Sequence, residues 1–380
     1  MERVQGVNFL RIEWCCQQAE ITVDQLAADL GISRATIEKA RAGEPSFTFG
    51  QLKKLAKHFG RGALFFLEAG PSEEIQIYTP QFRTLTNQKP HMSARIRVLI
   101  QRAERHREIY RALRESLDDA RPKFAAPRLS KNVHEAARDA RAWLGLKSQR
   151  TFEEYRATVE ACGILVFRSN GYSGPWQMPQ NSQILGFNLY HADCPLIVVR
   201  KEVATTRQTF TLMHELGHVL LHKNSSIDDE ADLYSQNGPE REVNAFAGSL
   251  LVPDEFLGSI DDAKRPADVA RYDAWLQSQR EAWGVSGEVI LRRLKDNGRL
   301  TQNQYDAYKQ WQGSVVYART DDGMRMYRHR EPKHVFGDMF VRTVLDALSA
   351  RHITLAKASD YLDRLRIDDL HRLEQHYAGD

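Results

Sequence analysis

The sequence has no run of about 18 or more apolar residues, so we expect no membrane-spanning helix. Its first residues, Met-Glu-Arg-Val-Gln-Gly, lack the apolar core of a signal peptide. Cysteine is scarce, and Cys15, Cys16, Cys162 and Cys194 have no metal-ligand spacing. Internal repeats and low-complexity tracts are also missing. These absences argue against membrane, secreted and disulfide-rich classes, and they predict a cytoplasmic protein with reduced thiols in its core.

The net charge of the 380-residue chain is only +3, but the charge is unevenly distributed. Between Arg83 and Arg150 there are 17 lysines and arginines against 7 acidic residues. A basic stretch of this kind can attract nucleic acid or an acidic protein partner. It is equally compatible with a solvated helix face, and the sequence leaves both interpretations open.

Apolar periodicity indicates an α+β protein that is mostly helical, with a few short strands. Helices are predicted at 93–119, 132–144, 152–161 and 240–251. Strands are predicted at 164–167, 184–189, 196–199, 315–317 and 324–327. The polar stretch Asn224–Pro239 is predicted to be a loop.

The most informative segment is His214-Glu215-Leu216-Gly217-His218, an HExxH motif inside an apolar helical pattern. Residues four apart share one face of a helix, so both imidazoles can bind a single cation. Zinc accepts such nitrogen ligands and keeps an open position in catalytic sites. Glu215 would then act as general base on water that the zinc activates. The alternative is an ordinary helix that happens to carry two histidines, and the surrounding sequence argues against it.

A catalytic zinc site needs a third protein ligand, and the downstream segment Pro239–Pro253 supplies candidates. Its apolar residues follow helical spacing, so it can pack beside the HExxH helix. Glu240 and Asn244 lie one turn apart on one face, which favours Glu240 as the third ligand. Glu242 lies off that face and is the reserve candidate. His222 continues the histidine face one turn further along and is expected to support the site or to lie at the surface rather than to bind the metal.

The segments HELGHVLLH (214–222) and ExEVNAFAGSLLVP (240–253) resemble the ImmA/IrrE family of zinc metallopeptidases, and so does their approach from residue 195 to 213. The likeness covers roughly residues 129–313. It implies a thermolysin-like (zincin-like) core, one zinc ion per chain, and Glu240 as third ligand, four residues before the helix asparagine. It also implies a protein substrate, because members cleave, or promote cleavage of, a transcriptional repressor of phage, mobile-element or stress-response genes. Val243 departs from the family, in which alanine is common.

The mechanism expected from these residues is zinc-assisted peptide hydrolysis, with Glu215 as general base and then proton donor. The predicted strand Ile184–Leu189 could present an edge to an extended substrate. An alternative from another class is a transcriptional regulator or antitoxin-like protein whose metal site is structural. A third is a toxin or phage-defence protease that a partner restrains. The intact Glu215 favours catalysis, because a structural site needs no base.

The segment Ile21–Gly43 fits two short helices around a tight turn at Gly31, and the first 60 or so residues resemble an XRE-type helix-turn-helix domain. The expected core residues are Leu26, Ala27, Leu30, Ile32, Ala35 and Ile37, with Ser33 as the N-cap of the second helix. In such folds the start of the second helix contacts DNA bases. The candidate contacts here are Ser33, Arg34, Thr36 and Lys39. Residues 1–65 carry 9 basic and 7 acidic side chains, so a dimerisation or protein-docking role also stays open.

We therefore expect four regions along the chain. They are an all-α helix-turn-helix domain at 1–70, a helical linker at 71–128, a peptidase domain with a small sheet at 129–313, and a small α(+β) unit at 314–380. The last unit could sense a signal or hold a partner. The expected partners are a repressor or antitoxin encoded nearby, DNA and a second copy of the chain, and no membrane is expected.

Overall fold

The computed structural model describes residues 3–18, 21–59, 62–70, 85, 88–89, 92–119, 121, 123–171, 174–179, 182–202, 204–233, 235, 238–314 and 327–379. These residues form two compact units, Met1–Gln101 and Arg102–Asp380. The finer four-part division expected from the sequence stays a prediction. None of the described helices is both long and apolar enough to cross a membrane.

Before the long helix that begins at Ala94, the described residues of the first unit form four short helices and a 3₁₀ turn, at Phe9–Gln18, Val23–Leu30, Arg34–Arg41, Phe49–His58 and Ala63–Phe66. The second of these helices begins at Thr22, which forms a capping box with Gln25. It ends at Gly31, whose φ of 63° is left-handed and favours glycine. Ser33 caps the third helix by accepting a hydrogen bond from the Thr36 amide, as predicted.

The buried core of this unit contains four of the six predicted core residues. The buried members are Leu26, Ala27, Ile32 and Ile37. Leu30 is partly buried against the same core, whereas Ala35 is exposed. The prediction for Ala35 was wrong because this residue lies on the outer face of its helix, two positions from the buried Ile37.

The basic helix predicted at 93–119 is present at Ala94–Ser116, and the boundary between the two units falls within it. Part of its charge is buried in the second unit. Arg107 is 3% exposed, pairs with Glu104 and Glu108, and donates a hydrogen bond to the Leu189 carbonyl. This part of the basic stretch is therefore a packed structural element and not a solvated face.

The second unit contains a four-stranded sheet whose strands are β1 (Leu165–Arg168), β2 (Ile184–Leu189), β3 (Leu196–Val199) and β4 (Ser226–Asp229). The strand order is β1-β3-β2-β4. β1 runs parallel to β3, and β2 runs antiparallel to both of its neighbours. The strands predicted at 164–167, 184–189 and 196–199 are confirmed to within one residue. The expectation that β2 offers an edge to a substrate was wrong, because β3 and β4 occupy its two sides.

β4 lies in the segment that the sequence predicted to be a loop, and the short helix Glu230–Leu233 follows it. The loop prediction was wrong because β4 has a polar inner face. Ser226, Ile227 and Asp228 are all buried, but only Ile227 among them is apolar. A strand with one apolar residue has no alternating hydrophobic pattern to reveal it.

Among the remaining helices of the second unit, Phe152–Ala161, Thr205–Gly217 and Glu331–Ser349 pack against this sheet. A mostly helical fold with a small sheet is what the sequence predicted. The remaining helices are Val133–Leu144, Phe152–Ala161, Thr205–Gly217, Gly238–Leu251, Asp254–Leu257, Tyr272–Trp275, Gln277–Trp283, Gly287–Asp296, Gln302–Ser314, Glu331–Ser349, Leu355–Tyr361 and Ile367–Ala378. The strands predicted at 315–317 and 324–327 lie outside the described residues except for Tyr327.

The helix Glu331–Ser349 is broken at Gly337, which has φ 77° and ψ 172°. A buried ion pair satisfies the backbone on both sides of the break. Arg156 donates hydrogen bonds to the carbonyls of His334 and Val335 before it, and Glu160 accepts one from the Met339 amide after it. Without this pair, the carbonyl and amide groups beside the break would lack these hydrogen bonds. The pair therefore fixes the position of the kink.

Candidate functional site

The HExxH helix, Thr205–Gly217, continues into a π-helical turn at His218–His222 and packs against the glutamate helix, Gly238–Leu251. Gly217 allows this close approach, because a Cβ atom there would lie only 3.0 Å from Val243 Cγ1. This packing brings the histidines of the HExxH helix and Glu240 of the glutamate helix to one site.

Three of the sequence-predicted side chains converge on one point. His214 Nε2 lies 3.2 Å from His218 Nε2. Glu240 Oε2 lies 3.3 Å from the first of these nitrogens and 3.4 Å from the second. His214 and His218 are buried, and Glu240 is partly buried. The three donor atoms thus form a nearly equilateral triangle.

Asp228 is a fourth member of this cluster, and the sequence analysis missed it. Its Oδ2 atom lies 3.7 Å from His214 Nε2 and 3.5 Å from His218 Nε2. The ligand atoms of His214, His218, Asp228 and Glu240 all lie within 4.8 Å of one another. Asp228 belongs to β4, so the sheet as well as the two helices contributes to the site.

Hydrogen bonds on the far side of each imidazole set which nitrogen faces the cluster. His214 Nδ1 lies 3.0 Å from Asn244 Oδ1. The Asn244 amide group is oriented by its Nδ2 atom, which donates to the carbonyls of Asp232 and Ser235. Its oxygen therefore accepts a hydrogen bond from the N–H group at His214 Nδ1, which leaves the lone pair of Nε2 for a metal.

A second chain of contacts orients His218. Its Nδ1 atom lies 3.2 Å from His222 Nδ1, and His222 Nε2 lies 3.2 Å from Glu242 Oε2. If Nε2 of His222 donates to Glu242, its Nδ1 accepts from His218, and the His218 Nε2 lone pair faces the cluster. Glu242, the reserve candidate for third ligand, thus lies outside the cluster and contacts His222.

Glu215 is fully buried beside the cluster. Its Oε2 atom lies 3.3 Å from Asn188 Nδ2 and 3.3 Å from the Ser226 hydroxyl. Its Oε1 atom has no hydrogen-bond partner among the described residues. Gly186 on β2 leaves the space that this carboxyl group occupies, because a Cβ there would lie 2.5 Å from Oε1. The carboxyl group is therefore held from one side with one oxygen available for chemistry.

The buried groups shift one another's pKa values. Burial lowers the pKa of His214, but Asp228 and Glu240 outweigh that effect and raise it to about 9. Burial raises the pKa of Asp228 and of Glu240, but contacts with the two histidines outweigh it and hold both values low. Burial and the charge of Asp228 raise the pKa of Glu215 well above its usual value. The pocket is a set of anionic and imidazole donors, which favours a bound cation.

The spacing of these donors agrees with a tetrahedral ion. Ligands that bind zinc tetrahedrally at about 2.0–2.1 Å lie roughly 3.3–3.4 Å from one another. The triangle of His214, His218 and Glu240 has edges of 3.2, 3.3 and 3.4 Å. The residues present thus fit a metal of the zinc type.

Comparison with known proteins agrees with this arrangement. Residues 160–295 match the M78 peptidase family, described as an IrrE N-terminal-like domain, and residues 11–61 match the Cro/C1-type HTH DNA-binding domain. The chain therefore carries an IrrE-like domain of the M78 peptidase family and an N-terminal Cro/C1-type helix-turn-helix domain. The matched IrrE-like segment contains His214, Glu215, His218, Asp228 and Glu240.

A curated relative of this chain is the uncharacterized immunity region protein 2 of Bacillus phage phi105. It is 37% identical over 82 residues, which are 21% of this chain and 51% of the relative. The chain therefore spans about half the length of that relative. A solved Mycobacterium tuberculosis transcriptional regulator matches over 50% of this chain and 52% of its own at 13% identity. Its TM-score of 0.29 is too low to support an argument.

The Cro/C1-type domain displays most of the predicted DNA-contacting side chains. Ser33, Arg34 and Lys39 are exposed and Thr36 is partly buried. Two of them are engaged with each other, because Ser33 Oγ lies 2.9 Å from Thr36 Oγ1 at the start of the helix. Arg34 forms an exposed ion pair with Glu38 at 3.2 Å.

Sequence reasoning missed three residues of the IrrE-like site: Asp228, Ser226 and Asn188. Asn188 and Ser226 pair directly across β2 and β4, and Asn188 Nδ2 donates to Ser226 Oγ at 2.6 Å. No alternating pattern in the sequence pointed to Ser226 or Asp228, because Ile227 is the one apolar residue of β4.

Proposed function

We propose that the IrrE-like domain is a zinc-dependent endopeptidase with a zincin-like site that cuts one regulatory protein. His214, His218 and Glu240 would hold the metal. The observation that carries the proposal is the triangle of their donor atoms, with edges of 3.2–3.4 Å. A transcriptional repressor encoded nearby is the substrate class that the family resemblance and the phage immunity-region relative favour.

The chain's own residues supply the proton transfers of this reaction. A zinc ion in the site would supply Lewis-acid polarisation of the scissile carbonyl and activation of water. A cation bound beside it would keep Glu215 ionised, so that Glu215 accepts the proton of the attacking water and passes it to the leaving amide nitrogen. Asn188 and Ser226 hold Oε2 of Glu215, so Oε1 can point toward the water.

The helix-turn-helix domain would place this peptidase at DNA. Lys39 and Arg34 are exposed on the second helix of the motif, as a contact with bases or phosphates requires. The same helix begins with the Ser33 cap, which fixes its first turn. We propose that the domain binds the regulatory region where the target repressor acts, so that substrate and peptidase meet on one DNA segment.

A second candidate comes from a different class: a transcriptional regulator whose metal site is structural. The buried Asp228 favours it, because four protein ligands are typical of closed structural zinc sites. Glu215 argues against it, since a structural site needs no buried carboxyl group with an unpartnered oxygen.

Co-expression with the protein encoded by the adjacent gene tests the proposal. We expect wild type to produce defined fragments of that protein, detected by mass spectrometry. Glu215→Gln should keep its zinc, measured by elemental analysis, and leave the partner intact. Glu240→Gln should lose metal and cleavage together, whereas Glu255→Gln, an exposed carboxylate change, should behave as wild type. Cleavage by Glu215→Gln at the wild-type rate would refute the mechanism, and zinc binding without cleavage by any form would favour the structural regulator.

A further inference from the structure

The carboxylate of Asp228 lies almost as close to the two histidines as the carboxylate of Glu240 does. Its Oδ2 atom lies 3.5 and 3.7 Å from the two Nε2 atoms, against 3.4 and 3.3 Å for Glu240 Oε2. Asp228 is also the more buried of the two carboxylates, with 3% of its side chain exposed against 25%. Two acidic residues therefore both lie within reach of one cation held by the two histidines.

The position of Asp228 is held by β4. Residue Ser226, two positions earlier, lies on the same face, and its hydroxyl is 3.2 Å from Asp228 Oδ2. The neighbouring Asp229 is used differently, since its Oδ1 atom accepts hydrogen bonds from the amides of Ala231 and Asp232. The strand thus directs one carboxylate into the cluster and leaves the next one to cap a helix.

A buried carboxylate at this position is costly unless a cation compensates it. A tetrahedral zinc ion that is bound by His214, His218, Glu240 and Asp228 has no vacant position, as in structural sites. A hydrolytic site requires a vacant position for water and substrate. If Asp228 binds the metal in one state and leaves it in another, the cation compensates the buried carboxylate in the first state and has a vacant position in the second.

The pairing of β4 with β2 is irregular at Asp228. Asp228 pairs with Gly186 and Asp229 pairs with Ile184, so Leu185 is passed over in the ladder. Within the described sheet β4 is a terminal strand, paired on the side of β2. A movement of Asp228 would therefore disturb the pairing of β4 with β2 at a point where that pairing is already interrupted.

We propose that Asp228 is a fourth protein ligand that closes the metal site in the resting chain and must leave before a substrate carbonyl can bind. The inference rests on the proposed function, because it concerns the same metal. It makes the peptidase latent: a substrate or partner that shifts β4 would open the site.

Cobalt-substituted protein tests the closure without reference to activity. Azide is the probe, because it adds to a metal ion that has an open position and changes the visible absorption of Co²⁺. We expect the wild-type spectrum to be unchanged by azide and the Asp228→Asn spectrum to respond. Asp228→Asn should also weaken Co²⁺ binding at least about tenfold, measured by competition with a coloured chelator. Asp229→Asn is the matched control and should resemble wild type in both measurements.

The outcomes separate this inference from the proposed function. A wild-type spectrum that responds to azide shows an open resting site and overturns the closure, whatever the folding of the variants. Metal affinity that depends on Glu240 but is unchanged in Asp228→Asn overturns the fourth ligand and leaves the proposed function standing. Wild-type protein that binds no metal overturns both. Asp228→Asn with bound metal that cleaves the partner more slowly than wild type overturns latency, whereas faster cleavage supports it.

Discussion

The Nδ1 atom of His214 lies 3.0 Å from Oδ1 of Asn244, and this contact decides which nitrogen of the imidazole faces the metal cluster. Supporting acceptors of this kind raise metal affinity by about 10- to 100-fold. Asn244→Leu removes the acceptor, so we expect zinc affinity to fall by about that factor. Competition with a coloured chelator measures the change.

Asn244→Asp is the matched control for this prediction. It keeps an oxygen that accepts from His214 Nδ1, but it loses the amide donor to Asp232 and Ser235, as the leucine variant does. We expect Asn244→Asp to retain affinity within a few-fold of wild type. Equal losses in both variants would show that the amide donor, and not the acceptor, supports the site.

Gly186 and Glu215 form a second sensitive pair. A Cβ atom at Gly186 would lie 2.5 Å from Glu215 Oε1 and 2.8 Å from Thr211 Cγ2, distances that force a shift. Gly186→Ala should therefore displace the proposed base and lower cleavage by at least about tenfold, with zinc binding retained. Overpacking of this kind typically costs about 1–3 kcal/mol of stability, which denaturant unfolding would detect.

The control for that variant is Gly174→Ala, because a Cβ at Gly174 meets no atom within 4 Å among the described residues. It should leave cleavage, metal content and stability unchanged. If Gly186→Ala cleaved as fast as wild type, Glu215 would not need the position that it occupies in the structure.

Sequence predicted much of the fold because the relevant residues repeat with the period of their element. The glutamate helix carries buried Val243, Phe246, Ala247 and Leu250 at helical spacing, so its presence and the face of Glu240 could both be inferred. The HExxH spacing added the two histidines. Both features are spacings of residues within one helix, and such spacings are visible directly in the sequence.

The missed features depend on contacts between distant segments. Asp228 enters the cluster because β4 pairs with β2, about 40 residues earlier, and no local pattern encodes that pairing. The kink at Gly337 is similar, since Arg156 and Glu160 define it from almost 180 residues away. The apolar spacing of the helix Glu331–Ser349 gives no sign of either partner.

Lys39 provides a test of the helix-turn-helix. If it contacts a phosphate, Lys39→Ala should weaken binding to DNA from the region upstream of its own gene and reduce the slope of log affinity against log salt by about 1. Fluorescence anisotropy at several salt concentrations measures both quantities. Lys264→Ala, an exposed change in the second unit, is the control. Wild-type binding that is absent or insensitive to salt would contradict DNA recognition by this domain.

Glu160 predicts a pH dependence of stability that is independent of the metal. Burial raises the pKa of Glu160 to about 7, although the charge of Arg156 opposes this, and Asp338 and Glu153 add to it. A carboxyl group with a folded-state pKa above its usual value of 4.5 binds more protons in the native state. Its contribution to stability is therefore greatest at low pH and is lost as the pH rises from 4.5 to about 7.

Glu160→Gln removes this titration and keeps an oxygen for the Met339 amide. We expect the free energy of unfolding of wild type, relative to Glu160→Gln, to decrease between pH 5 and 7.5 in urea titrations. Glu288→Gln is the control: Glu288 is also buried, but Arg292, Lys309 and Tyr305 outweigh burial and lower its pKa. Its contribution would be lost only below the ordinary carboxyl range, so its difference from wild type should stay constant over the same interval. A constant difference for Glu160→Gln as well would show that Glu160 is ionised throughout and that its pair with Arg156 outweighs its burial.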